Sequence, residues 1–98
     1  MAQSQISRIV TVSNREGLHF RAATELAKLV RGFRAEVVIL KNQDRADCGD
    51  VLEISSLGAE ENEQLLLQAS GQEAEEALEA AARLFASGFD ENAQIENN

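Results

Sequence analysis

The chain has 98 residues, 44% of them apolar, and a formal net charge of −8. That length accommodates one hydrophobic core, and that charge argues against a nucleic-acid partner, whose phosphates require basic patches. No apolar run approaches the roughly 20 residues of a membrane-spanning helix, Met1–Gln5 shows no basic-then-apolar signal pattern, and Cys48 has no second cysteine to pair with, so a cytoplasmic protein without direct membrane contact is expected.

Ile6–Ser13 alternates, with Ile6, Arg8, Val10 and Val12 on one side, which predicts a strand with one buried face. Asn14-Arg15-Glu16-Gly17 reads as a turn. From Phe20 to Arg31 the period changes: Ala22, Ala23, Leu26, Ala27, Leu29 and Val30 form an apolar stripe while Arg21, Glu25, Lys28 and Arg31 face out. Gly32 ends this helix. Ala35–Leu40 is strand-like, Lys41–Asp44 a turn, and Arg45–Cys48 a short return strand. Asp50-Val51-Leu52-Glu53 reads as a capping box opening a helix over Val51–Leu57, stopped by Gly58. Glu63–Ala69, centred on three leucines, predicts a buried strand. Ser70–Glu73 opens a last helix whose stripe is Ala74, Ala77, Leu78, Ala81, Leu84 and Phe85, closed by Gly88. Residues 1–88 are thus expected to form the domain, and residues 89–98, polar and aperiodic, a mobile tail. The order β-α-β-β-α-β-α predicts an α+β open-faced β-sandwich, a four-stranded antiparallel sheet with three helices on one face.

Charge is unevenly placed. Residues 1–49 carry eight Lys/Arg against five Asp/Glu, net +3, and residues 50–98 carry one Arg against twelve Asp/Glu, net −11. Arg15, Arg21, Lys28, Arg31 and Arg34 lie in or beside the first helix. A positive face there would attract an acidic donor or partner; solvated helix positions are the plainer reading.

His19, the one histidine, stands where the first strand pattern gives way to a helix. Free amides and the positive end of the helix dipole meet it there, a setting suited to phosphate. A neutral imidazole nitrogen is a nucleophile toward phosphorus, and Arg21 offers a two-pronged donor to the same oxygens. A structural histidine that caps the helix, with Arg21 merely exposed, fits the same spacing. Hydrolase and zinc chemistry have little to stand on without a second histidine, a nearby cysteine or a triad order, so no metal site is expected.

The stretch Gly17-Leu18-His19-Phe20-Arg21-Ala22-Ala23 resembles the signature Gly-Leu-His-x-Arg-Pro-Ala of HPr, the histidine phosphocarrier of the phosphoenolpyruvate-dependent phosphotransferase system. The resemblance continues through Gly32-Phe33, Ser56-Leu57-Gly58 and the final helix. It implies that His19 accepts a phosphoryl group at Nδ1 from enzyme I and relays it to an EIIA-type domain, in sugar transport or in regulation. Arg21 and Phe20 would belong to the phosphate site, and no cofactor is implied. The family's partner surface maps onto Phe20, Thr24, Lys28, Arg31, Val51, Leu52 and Ser55. The protein would be a monomeric relay rather than a turnover enzyme.

Three departures from the family pattern bear on this. Ala22 replaces proline, which keeps the helix and leaves either a looser pocket or one extra backbone donor. Asp50 stands where Gram-positive relatives carry a regulatory serine; it is either a plain N-cap or a permanent stand-in for phosphoserine charge. Glu53 and Ser55 make the second contact helix polar, leaving Val51, Leu52 and Phe20 as apolar anchors. Cys48 fits a small buried residue. Two other functions compete: a regulatory HPr-like binding module without a sugar-transport role, and an acyl carrier. The latter requires a serine between Asp50 and Leu52, where Val51 stands.

Overall fold

A computed structural model describes residues 5–90. Its elements follow the expected order: β1 (Ile6–Thr11), α1 (Phe20–Arg31), β2 (Glu36–Lys41), β3 (Asp44–Asp47), α2 (Val51–Ser56), β4 (Gln64–Ser70) and α3 (Ala74–Ala86), followed by a 3₁₀ turn over Gly88–Asp90. The strands form one antiparallel sheet in the order β1-β4-β2-β3. Helix α3 lies across β1, β4 and β2, α2 lies against β3, and α1 packs on both other helices. The result is the predicted α+β open-faced sandwich.

Period-two patterning sets which side chains enter the core. Val10, Leu65, Leu67, Ala69, Val37, Ile39 and Ala46 point to the helices and are buried. They meet Ala22, Ala23, Leu26, Ala27 and Val30 of α1 and Ala77, Leu78, Ala81 and Phe85 of α3. The many alanines let the helices sit close to the sheet. Leu66, between two buried leucines, faces the open side of the sheet with Ile9 and Leu40 as cross-strand neighbours.

Some boundaries and contacts differ from expectation. β1 stops at Thr11, yet Val12 remains buried. Arg8, on the inner side but at the sheet edge, escapes burial by reaching Glu79 of α3 at 2.8 Å, and the guanidinium holds that carboxyl below its usual range. α2 ends at Ser56, one residue early. The tail was expected to begin at Phe89, but that residue is fully buried: its ring stands edge-on to Phe85 at 5.0 Å. The chain turns back there through positive φ at Gly88, Phe89 and Asp90, a conformation that a hydrophobic pattern does not encode. The rest of the expected tail lies outside the described residues.

Candidate functional site

The loop before α1 is fixed from three sides before any functional side chain is placed. Asn14, fully buried, donates from Nδ2 to the Gly17 carbonyl at 2.8 Å, and the Gly17 amide returns to the Asn14 carbonyl at 3.1 Å. Ser13 donates to the Phe85 carbonyl at 2.6 Å, tying the loop to the end of α3. Leu18, buried, donates its amide to the Ala59 carbonyl at 2.9 Å. That close approach explains Gly17: its φ is +74°, and a Cβ there would stand 2.4 Å from the same Ala59 oxygen. Asn14 was legible only as a turn residue; its position before a glycine turn is the signal that could have marked it.

His19 emerges from this loop as the N-cap of α1, with extended backbone (φ −74°, ψ 179°). Its Nδ1 accepts from the Arg21 amide at 3.3 Å. An acceptor Nδ1 carries a lone pair, so the neutral ring bears its proton on Nε2. The nitrogen that points into the first helical turn is therefore the nucleophilic one, beside the Arg21 amide, one of those that a helix start leaves over. The ring is 26% exposed, and on its far side the Glu16 carboxylate lies 3.9 Å from Nε2. The capping reading and the functional reading of His19 thus describe one geometry: the atom that caps is the atom that would attack.

Arg21 directs its guanidinium along α1, with Nε 3.7 Å from the Glu25 carboxylate, an i,i+4 pair. Ala22 is fully buried, so it fills core space as well as the family's proline position. Phe20 is 63% exposed, and Thr24 donates its hydroxyl to the Phe20 carbonyl. Lys28 is exposed. Arg31 is exposed too, but its guanidinium is spent on structure: Nη2 and Nε both donate to the Gly49 carbonyl, at 2.6 and 3.1 Å, joining the end of α1 to the start of α2.

At that start, Asp50 accepts from the Glu53 amide at 3.1 Å and is the N-cap. Only half of the expected capping box forms. Glu53 turns away from the cap amide and accepts from Asp47 at 2.8 Å, because the Asp50 amide already donates to the Asp47 carbonyl. Leu52 is 70% exposed, Val51 packs partly into the core, and Ser55 folds its hydroxyl onto the carbonyls of its own helix. The two packed helices therefore offer one large exposed apolar side chain each, Phe20 and Leu52. Cys48 is buried, and burial with the Asp47 charge pushes its thiol up to about 12. It is a core residue with no thiolate to offer.

Comparisons with known proteins show the family and the fold. The family model for the PTS HPr component phosphorylation site matches residues 6–87. Phosphocarrier protein NPr of Escherichia coli (strain K12) is 35% identical over 88 residues, covering 89% of this chain and 98% of its own length. The NPr of Shewanella violacea is 38% identical over 88 residues, covering 90% and 97%. Among solved structures, HPr-C-His from Thermoanaerobacter tengcongensis superposes with a TM-score of 0.83 at 27% identity, covering 88% of this chain and 97% of that one.

Proposed function

The chain belongs to the PTS HPr family, and from that premise we propose that it is a phosphocarrier whose relay atom is Nδ1 of His19. The observation that carries the assignment is the cap itself: Nδ1 holds its lone pair toward the amide of Arg21 at the start of α1. In the first half-reaction that lone pair attacks the phosphorus of a phosphorylated donor. A P–N bond forms on His19 as the bond to the donor breaks, and the electron pair leaves with the donor. In the second half-reaction an acceptor nucleophile attacks the same phosphorus, and the electron pair of the Nδ1–P bond returns to the ring. The helix amides and the Arg21 guanidinium stabilise the three phosphoryl oxygens in both directions. Arg21 must turn from Glu25 to take part, which a long flexible side chain on a surface pair does at small cost.

Family membership supports enzyme I as donor and an EIIA-type domain as acceptor. The docking surface on this reading joins Phe20, Thr24 and Lys28 of α1 to Val51, Leu52 and Ser55 of α2, with Phe20 and Leu52 as apolar anchors. Arg31 contributes by holding the two helices together. Incubation with phosphoenolpyruvate and enzyme I, read by intact mass and phosphorus NMR, tests the relay. The wild type gains one acid-labile phosphoryl group and His19→Ala gains none; phosphorylation of His19→Ala would move the site elsewhere.

A second reading, a module that regulates by binding alone, is favoured at one point. Asp50 places a fixed charge where relatives carry a phosphorylatable serine, and that charge is built into the cap of α2. On that reading His19→Ala keeps full affinity for the partner.

A further inference from the structure

We propose that Glu16 is a positioning residue for His19, with its carboxylate stabilising the positive charge that the ring acquires when Nδ1 bonds to phosphorus. The inference rests on the phosphocarrier reading and adds a role that the signature motif does not contain. Glu16 sits in the turn three residues before His19, and its Oε1 lies 3.9 Å from Nε2, the ring nitrogen opposite the attacking one. A neutral ring gives a carboxylate little to act on. Once the Nδ1 lone pair is shared with phosphorus, positive charge spreads over the imidazole, and the Glu16 carboxylate 3.9 Å from Nε2 acts on that charge through space. An interaction that strengthens along the reaction path accelerates it, whereas one present throughout does not. Phosphoryl loss from a phosphohistidine also runs through the Nε2-protonated ring, since that form leaves as neutral imidazole. A carboxylate beside Nε2 favours that positively charged form.

Among the described residues, other charged groups lie on the segments next to the ring. The Arg21 backbone amide lies on the Nδ1 side, and its guanidinium reaches toward Glu25. Arg15 lies in the same turn, and Glu60 belongs to the loop whose backbone closes on Gly17. Of these charges, Glu16 is the carboxylate paired with Nε2. It is also 73% exposed, so water and salt weaken its effect.

The test uses potassium phosphoramidate as donor, so that His19 is phosphorylated without a protein partner: the P–N bond of the reagent breaks, ammonia leaves, and the new bond forms to Nδ1. Phosphorus NMR then follows loss of the phosphoryl group across pH for the wild type, Glu16→Gln and Glu16→Asp. The expected result is hydrolysis about two- to fivefold slower in Glu16→Gln than in the wild type at alkaline pH, where the protonated form is scarce. Glu16→Asp should restore part of the difference, and high salt should shrink it. Superimposable profiles for the three proteins overturn the proposal. The phosphocarrier reading fails separately, if phospho-His19 made this way does not discharge to an EIIA-type acceptor.

Discussion

Arg21 serves the site with two different groups, and they can be separated by substitution. Its backbone amide belongs to the helix start and survives any side-chain change, whereas its guanidinium is shared between Glu25 and, on our reading, the phosphoryl oxygens. Arg21→Ala is expected to slow phosphoryl uptake about 10- to 100-fold, the worth of a charge-assisted hydrogen bond. Glu25→Gln removes a competitor for the same guanidinium and should speed uptake about twofold, in line with an exposed i,i+4 pair. Rapid-quench transfer kinetics read both; a slower Glu25→Gln would mean that Glu25 holds Arg21 ready rather than holding it back. At this scale the sequence was informative only where chemistry and spacing coincide. His19 and Arg21 stand out because they match a short family motif; by spacing alone a capping histidine beside an exposed arginine fits equally well. Asn14 and Glu16 depend on how one turn folds, which residue type alone does not report, whereas the i,i+4 spacing of Arg21 and Glu25 on one helix face permits their pairing.

The α1–α2 pair is where elements decide function, because the docking surface needs both helices in register. Helix α2 has six residues, too short to be stable by itself. Besides the buried Ile54 and the Glu53 contact with Asp47, the Asp50 cap and the Arg31 bridge to Gly49 hold it. Asp50→Asn retains the cap and removes the charge, while Asp50→Ala removes both. Thermal unfolding should show little change for the first and a loss of about 1 kcal/mol for the second. Transfer from enzyme I should be unchanged in Asp50→Asn if the residue is a cap alone; a changed rate would mean that its charge acts on the partner. Arg31→Met should cost about 1 kcal/mol and loosen α2 in hydrogen exchange, though it touches no phosphate. Periodicity was enough to find α1 from Phe20 to Arg31, since its apolar stripe is continuous and a glycine closes it. It misjudged the capping box because Asp47 offers Glu53 a competing donor, and it placed the end of the domain one turn early because Phe89 reaches the core through left-handed backbone.

The whole molecule folds around one core, so a group buried in it reports on global stability. Cys48 is such a group: fully buried, with its thiol pushed from 9.0 to about 12 by burial and by the neighbouring Asp47 carboxylate. In the unfolded chain the thiol ionises near its ordinary value, whereas in the folded protein it keeps its proton until about pH 12. Between those values the unfolded state binds fewer protons than the native state, so unfolding is favoured as the pH rises. The contribution is fully present below pH 9.0, declines as the pH climbs toward about 12, and falls at up to about 1.4 kcal/mol per pH unit in that window. At the acid end Glu79 works in the opposite sense: Arg8 lowers its carboxyl, so that contribution is present above its ordinary 4.5 and lost on acidification. Urea unfolding at a series of alkaline pH values, for the wild type and Cys48→Ala, isolates the thiol from lysines and arginines common to both. The wild type should lose stability more steeply than Cys48→Ala above pH 9, and the native thiol should resist alkylation until the protein unfolds. Parallel curves, or rapid labelling of the folded protein at neutral pH, would mean that the core around Cys48 opens locally. In that case α2, the element that follows it and half of the docking surface, would be the segment that moves.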